Sequence, residues 1–260
     1  FNLFTSNMGR QETNIQGNWK ISDKWTSGLF LHGNQRTKEM DGNGDSFLDA
    51  PLAKQVNILN RWQYTNANKG WVGFSSFRLM RDEKTLGSLG FNPEEDRNNF
   101  ALWGSQIDTN RIDTSLKIGY VFPELSYKTF GFQSAFSNHD QEAYYGFRKY
   151  NINQQSFYSS LLYNSIIGNT KNKFKIGINF SYDRYLETVD NFYFNRSDRS
   201  VGSFFEYTYD SLENLNLVAG IRLDSHNRLG TFITPRLHLR YLPQENTIFR
   251  LSAGTGRKVA

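Results

Sequence analysis

Hydrophobic and polar residues alternate along most of this chain. Between residues 173 and 183, Phe174, Ile176 and Ile178 fall on one parity, whereas Lys175 falls on the other. Side chains of a β-strand point alternately to opposite faces of the sheet. The pattern therefore predicts a strand with one apolar face and one polar face.

Twelve segments carry this alternation. The first eight are predicted at 11–21, 25–33, 55–65, 71–82, 110–122, 125–137, 149–164 and 173–183, and the apolar positions of the other four begin at Val201, Leu215, Ile233 and Phe249. Short polar turns alternate with longer polar loops, which are predicted at 34–54, 83–109, 138–148 and 185–198. This rhythm is typical of an antiparallel transmembrane β-barrel with short periplasmic turns and long extracellular loops. Each segment is about long enough to cross the hydrocarbon layer at a tilt.

Two points stay open at this stage. The parity of the fourth segment is ambiguous, because Trp71, Phe77 and Leu79 compete with Val72 and Phe74. A soluble β-sandwich or β-helix would show the same alternation, although its connections would be of mixed length.

The composition favours the barrel. Aromatic residues make up 16% of the chain although its mean hydropathy is −0.62, and a barrel with a polar lumen and aromatic girdles needs both properties. The chain has no run of about 20 apolar residues, the length of a spanning helix. With 0 cysteines, a disulfide framework and a thiolate metal site are excluded. The net charge of +5 is spread along the strands, so no nucleic-acid partner is expected.

One stretch near the end of the chain carries a more specific pattern. Residues 235–243 read PRLHLRYLP, and after a polar turn residues 250–257 read RLSAGTGR. This succession resembles two neighbouring strands in the barrel of TonB-dependent outer-membrane receptors. Residues 41–51, followed by Asn60, Arg61 and Trp62, are similar to a loop and strand of members from Bacteroidetes.

The resemblance implies a function and a setting. Such receptors have 22 strands, so residues 1–260 are expected to form a partial barrel domain without the plug domain and the C-terminal strands. The implied function is import of a scarce nutrient, by default a ferric siderophore or another metal chelate, across the bacterial outer membrane. No Ser/His/Asp set, paired carboxylates or phosphate loop stands out in the sequence, so no enzymatic activity is expected. The implied partners are the TonB–ExbB–ExbD complex, acting through the plug, outer-membrane lipid and lipopolysaccharide, and a small-molecule ligand. A cobalamin or heme receptor and a passive porin or adhesin barrel are the alternatives.

Two sets of residues are candidates for binding. The first set, on the polar parity of the last three strands, is predicted to face the lumen and the plug: Arg222, Arg236, His238, Arg240, Arg250, Gly254 and Gly256. The two glycines leave a track without side chains, along which another element can approach closely. The second set, in or near the predicted long loops, is predicted to bind substrate: Arg78, Arg81, Trp103, Tyr144, Tyr145 and Tyr193.

The loop before the third strand is a candidate metal site. Asp41, Asn43, Asp45 and Asp49 occupy relative positions 1, 3, 5 and 9 of a calcium-binding loop. Leu52 stands where an EF-hand has its bidentate Glu, so the loop is no EF-hand. This extracellular loop is a candidate Ca²⁺ site, with a solvated Asp/Asn/Gly loop as the alternative, and no other cofactor is expected.

Overall fold

A computed structural model describes residues 1–99, 101–211 and 213–257. They form one antiparallel sheet of 13 strands, in which every strand pairs with its neighbours in sequence. The strands are β1 (Asn2–Thr5), β2 (Arg10–Lys20), β3 (Trp25–Arg36), β4 (Leu52–Asn66), β5 (Trp71–Gly87), β6 (Gly104–Val121), β7 (Thr129–Tyr145), β8 (Arg148–Ile167), β9 (Asn169–Val189), β10 (Phe192–Asp210), β11 (Leu215–His226), β12 (Gly230–Gln244) and β13 (Thr247–Gly254). A 3₁₀ turn (Ala67–Lys69) and a helix α1 (Asp96–Asn99) lie between strands. Neither of these two described helices is long and apolar enough to cross a membrane.

The strands extend further than the alternation predicts. The predicted loops at 138–148 and 185–198 are wrong, because β7 and β8 meet at a two-residue turn, as do β9 and β10. The predicted loop at 83–109 shrinks to 88–103, and β1 was not predicted at all. Where strands leave the membrane, apolar residues no longer keep to one face and the alternation fades, but the backbone groups still pair, as Tyr193 does with Thr188.

The strand register assigns every side chain to one of two faces, because directly paired residues point the same way. Arg222 pairs with Thr234 on the face that we call the polar face, and Leu223 pairs with Ile233 on the apolar face. The register also resolves β5. Phe77 pairs with Asn60 on the apolar face, whereas Phe74 pairs with Gln63 on the polar face.

Apolar residues occupy the apolar face over only part of the length of each strand. In β5 its apolar residues run from Trp71 to Leu79, and in β6 from Ile112 to Tyr120, about the nine residues that a strand needs to cross a bilayer. These side chains are not covered by protein: Ile178 is 56% exposed and Ile221 52%. A soluble sandwich would bury such a face, so the exposure supports a surrounding membrane.

Aromatic rings form a continuous row on the apolar face, close to the short turns. The ring centroids of Trp71 and Tyr120 are 4.7 Å apart, and those of Phe130 and Tyr163 are also 4.7 Å apart. The row continues from Tyr163 to Phe174 at 5.9 Å. An aromatic row at one rim of an apolar band is the girdle expected at a membrane interface.

Candidate functional site

The polar face gathers charged side chains from distant parts of the sequence. On β5, the Nε of Arg78 donates a hydrogen bond to Oδ1 of Asn57 at 3.1 Å, and its Nη1 lies 3.7 Å from Asp113. Arg111 approaches the same carboxylate at 3.0 Å. Asp113 thus holds two guanidinium groups from neighbouring strands against the polar face of the sheet.

The predicted lumen set does lie on one face. Arg222, Arg236, Arg240 and Arg250 share the polar face by the strand register, and so does His238, whose Nδ1 is 3.0 Å from Oγ of Ser252. Their contact with a plug stays a prediction.

The arginines of this set differ in what they contact. Arg222 makes a bidentate ion pair with Asp224, with both N–O distances 2.6 Å. Arg236 contacts Glu206, whose Oε1 also lies 3.3 Å from Nζ of Lys175. Two of the predicted cations are therefore already neutralised by the sheet itself.

Arg240 and Arg250 are different. They pair directly with each other across β12 and β13, near the short turn between these strands. No carboxylate of the described residues forms an ion pair with either of them, and both residues are exposed. These two cations are thus the part of the predicted set that is free to meet a group from outside the described sheet.

Gly202 creates a cradle in the middle of the polar face. A Cβ atom at this position would lie 2.3 Å from Oδ1 of Asp224, 2.4 Å from Nη2 of Arg222 and 2.8 Å from Oδ1 of Asn179. The Asn179 oxygen is buried and accepts no hydrogen bond from the described residues. The absent side chain therefore lets three polar groups from two strands, β9 and β11, converge on β10.

The two glycines of the predicted track have different surroundings. Gly254 lies in β13, opposite Arg236, and a Cβ there would be 3.3 Å from the carbonyl oxygen of Pro235. Gly256 follows the strand and has open space beside it. The track therefore offers room for another backbone only past the end of β13.

The structure does not bring the predicted substrate-binding set together. Arg78 and Tyr145 lie on the polar face, whereas Arg81 lies on the apolar-face parity and pairs with Glu83 at 2.8 Å. Tyr144 and Tyr193 also have the apolar-face parity, and Trp103 lies in the loop between β5 and β6. Substrate binding by these residues stays a prediction.

Tyr144 belongs instead to a packed cluster at the base of the loop between β5 and β6. The guanidinium of Arg97 lies over its ring at 4.4 Å, and Phe91 and Trp103 help line a cavity of about 60 Å³ beside it. Burial raises the pKa of the Tyr144 hydroxyl, and this hydroxyl has no hydrogen-bond partner among the described residues. The cluster stabilises the loop.

In the predicted calcium loop, the acidic side chains accept hydrogen bonds from backbone amides of the loop itself. The carboxylate of Asp41 accepts hydrogen bonds from the amides of Gly44 at 2.7 Å and Ser46 at 2.9 Å, and the carboxylate of Asp49 accepts one from Gly42 at 2.7 Å. Desolvation raises the pKa of Asp41, but the amide donors outweigh it and hold this pKa below its usual value.

The described residues contain no group of three or more His, Cys, Asp or Glu arranged to hold a metal ion. The acidic loop also packs on its neighbour, with the amide of Leu48 donating to the carbonyl oxygen of Gly87 at 2.9 Å. Calcium binding stays a prediction.

Sequence reasoning identifies Phe192 and Phe194 as loop aromatics and candidates for stacking on a substrate, but it misses the row that Phe192 forms with residues of other strands on the polar face. Phe192 pairs with Val189, which pairs with Tyr150, so these side chains form a row beyond the membrane level. Two of these residues, Val189 and Phe192, lie within the predicted loop at 185–198, where no strand pairing is expected from the sequence. The only sequence signal of this row is the alternation of Phe192, Tyr193 and Phe194, which places the two phenylalanines on one face and the tyrosine on the other.

Comparison with known proteins agrees with this architecture. The sequence model of the family "TonB dependent receptor-like, beta-barrel" matches residues 4–259. The chain therefore belongs to the TonB-dependent receptor β-barrel family, which places it in the bacterial outer membrane, with its polar face toward the lumen and its longer connections outside. No curated protein sequence matches the chain.

Solved structures share the fold at low sequence identity. Pseudomonas aeruginosa FpvA, in complexes with heterologous pyoverdines, has a TM-score of 0.72 at 10% identity, over 95% of this chain and 40% of that one. The ferric enterobactin receptor PfeA from the same species has a TM-score of 0.71 at 10% identity, over 97% of this chain and 43% of that one. The copper transporter OprC has a TM-score of 0.71 at 11% identity, over 95% and 43%. The chain thus spans about two fifths of the length of these structures.

Proposed function

We propose that this chain is the central barrel wall of a TonB-dependent importer of a ferric siderophore or another metal chelate. The family match over residues 4–259 carries this proposal. The similar solved structures include siderophore receptors and a copper transporter, which supports a chelated metal as the cargo class. A cobalamin or heme receptor of the same family is the alternative.

The polar face supports transport through the lumen. Within the membrane level it carries hydroxyl, amide and charged groups, among them Ser76, Ser115 and Lys117, where the opposite face carries Leu116 and Ile118. A polar wall offers hydrogen bonds to a hydrophilic cargo and to a polypeptide that fills the lumen. In this proposal the cargo is transported as substrate and the barrel performs no chemical step.

The partners follow from the same proposal. Arg240 and Arg250 lie at the periplasmic end of the polar face without a carboxylate partner in the described sheet. We assign them to carboxylates of the plug, through which the TonB–ExbB–ExbD complex would supply energy. The apolar band and its aromatic row contact outer-membrane lipid, and the strands beyond the band are at the level of lipopolysaccharide.

Uptake by cells that express the full-length receptor tests the proposal. Deletion of its gene should abolish uptake of ⁵⁵Fe supplied as the cognate chelate, and deletion of tonB should have the same effect. Dissipation of the proton motive force should stop uptake through an energised importer but leave diffusion through a passive porin unchanged. Uptake that survives loss of TonB would contradict the proposal.

A further inference from the structure

A notch interrupts the apolar face in the middle of the membrane band. It has a volume of about 590 Å³, and residues of five consecutive strands, β4 to β8, line it. Some of its lining side chains are small and carry hydroxyls, namely Ser75, Thr114 and Ser134, which we call the hydroxyl set. Others are bulky, exposed rings, such as Phe77 and Phe136. The surface that faces the bilayer is therefore concave here and has rings beside the concavity.

The hydroxyl set lies at the level of the hydrocarbon centre. Ser75 is halfway between Trp71 and Leu79, the two ends of the apolar band on β5. It pairs with Leu116 of β6, which in turn pairs with Ser134 of β7, so these side chains form one row across three strands. The polar groups of the notch are thus far from both membrane interfaces.

The hydroxyl set has no hydrogen-bond partner within the sheet. None of its three hydroxyls makes a hydrogen bond to a residue that the structure describes. Asn60, at the edge of the notch, differs from them: it donates to the carbonyl oxygen of Gly28 at 3.2 Å and accepts from the indole of Trp62 at 2.6 Å. Hydrocarbon offers a hydroxyl no partner, and an unpaired hydroxyl in an apolar medium costs free energy. A protein surface in the notch would supply the missing partners.

Other strands show a band that suits lipid alone. On β9 the outward residues at this level are Phe174, Ile176, Ile178 and Phe180, which carry no hydroxyl. On β10 a single serine, Ser203, faces outward between bulky neighbours and lies outside the notch. Ser203 is therefore a natural reference for a lipid-facing serine that is not part of a concave surface.

The hydroxyl set is complementary to itself. A hydroxyl both donates and accepts hydrogen bonds, so two identical hydroxyl patches can satisfy each other without any charge. All copies of a membrane protein have the same orientation, so a two-fold axis along the membrane normal brings residues of equal depth into contact. Such a contact uses the same patch on both copies. Small residues let the two backbones approach, and the ring of Phe77 or Phe136 can enter the notch of the other copy.

The size of the surface also suits a second copy. Five strands at about 4.8 Å spacing and nine residues at about 3.3 Å each cover roughly 700 Å² per copy, or about 1,400 Å² for both. Specific protein interfaces bury about 1,200–2,000 Å² in total. The band on β4 to β8 is therefore large enough to hold two copies together.

We propose that the notch on β4 to β8 is the contact surface between two copies of the receptor in the outer membrane. The hydroxyl set of one copy bonds to that of the other, and the band on β9 to β12 faces lipid. The dimer does not depend on the cargo, so it can fail while the import function stands.

Subunit counting in liposomes tests the proposal. The full-length receptor would carry one dye per copy and would be reconstituted at several protein-to-lipid ratios as wild type, as Ser75→Leu/Ser134→Leu and as the control Ser203→Leu. We expect two bleaching steps per spot in wild type. The double variant should need about tenfold higher protein density to dimerise, because it fills the notch and removes two hydroxyls. The control should change less than about twofold. Leucine suits a lipid-facing position, and equal unfolding midpoints would verify that all variants fold.

Cross-linking in native outer membranes provides a second measurement. Once any cysteine elsewhere in the full-length receptor has been replaced, Ser134→Cys should form a disulfide-linked homodimer under mild oxidation, because a residue near a two-fold axis meets its own copy. Ser203→Cys should stay monomeric.

Several outcomes would overturn the dimer. A wild type that is monomeric at every density would show that lipid fills the notch. Dimers that survive the double substitution, or that Ser203→Leu weakens equally, would place the contact elsewhere. A Ser134→Cys product with a different protein and no homodimer would assign the notch to that protein instead.

Discussion

Arg240 of β12 and Arg250 of β13 stand directly opposite each other on the polar face, near the periplasmic turn that joins these strands. Like charges in directly paired positions destabilise a sheet, typically by about 0.2–1 kcal/mol. The arginines nearby avoid this, since Arg222 pairs with Asp224 and Arg236 with Glu206. The Arg240–Arg250 pair is therefore suited to carboxylates from a segment inside the lumen.

Charge reversal of one member should loosen whatever occupies the lumen. We predict that Arg240→Glu in the full-length receptor raises ion conductance across planar bilayers several-fold, because the introduced carboxylate would pair with Arg250 and repel plug carboxylates. Lys20→Glu is the control, since Lys20 also lies at the short-turn end but pairs with Asp23 at 2.7 Å. Equal conductance in wild type and Arg240→Glu would contradict the assignment.

The Gly202 cradle makes a stability prediction. Gly202→Ala would place a methyl group within 2.4 Å of both Asp224 and Arg222, so their ion pair must move. We predict a loss of about 1–3 kcal/mol in the free energy of unfolding, measured by denaturant titration of the refolded receptor. Gly33→Ala is the control, because the nearest atom to its Cβ would be 3.9 Å away. A similar loss in both variants would show that the cradle has no special role.

Asp108 makes a pH prediction. It lies beyond the apolar band of β6 and pairs directly with Glu83 on one side and Glu142 on the other. Burial raises its pKa, the charges of Glu83 and Glu142 raise it further, and Gln106 and Arg81 act against them. A raised folded-state pKa means that the folded state binds the proton more tightly. The stabilising effect is thus present at acidic pH and is lost as the pH rises through the folded-state pKa.

Asp108→Asn tests this sign. Near pH 7 the variant should unfold at a higher denaturant concentration than wild type. The free energy of unfolding should rise by about 0.5–1 kcal/mol, because the substitution removes the like-charge pairing with Glu83 and Glu142. The difference should shrink as the pH falls through the raised folded-state pKa of Asp108 and should change no further below the ordinary pKa of Asp. A variant that is less stable at pH 7 would refute the account of this row.

The carboxylate of Asp41 should protect amides of the acidic loop from hydrogen exchange. Because Asp41 accepts hydrogen bonds from the amides of Gly44 and Ser46, Asp41→Ala should increase the hydrogen exchange of these amides, by about tenfold. If the loop binds Ca²⁺, millimolar Ca²⁺ should slow this exchange in wild type but not in the variant. Asp23→Ala, in an exposed periplasmic turn, is the control. If neither Ca²⁺ nor the substitution changes the exchange rates of these amides, the loop is a solvated connection and not a Ca²⁺ site.

The sequence predicts the faces of the strands well, because lipid imposes the alternation. Ile176 and Lys175 were assigned to opposite faces from parity alone, and the register confirms this. The same rule fails where no lipid is present. In residues 138–148 and 185–198, polar and apolar residues occur on both faces, so these segments look like loops, yet backbone pairing continues through them.

The candidate site depends on register, which parity does not supply. Asn179, Gly202 and Asp224 lie far apart in sequence, and only the pairing of β9 with β10 and of β10 with β11 puts them in one row. Arg78 and Arg81 are both predicted to bind substrate because they lie near the predicted long loop, but the register points them to opposite faces. The ends of the strands fix this register, and the sequence pattern does not show where the strands end.

Spin labels along β9 test the two-faced barrel most directly. Residues 1–260 contain no cysteine. Once any cysteine elsewhere in the full-length receptor has been replaced, single cysteines at residues 173–183 can be labelled one at a time in liposomes. Power saturation should show high accessibility to oxygen and low accessibility to a water-soluble nickel chelate at 174, 176, 178 and 180. The intervening positions should show the opposite, or protection from both reagents where another segment covers the polar face. Accessibility without a period of two, or nickel access at 176 and 178, would contradict a membrane-spanning barrel wall.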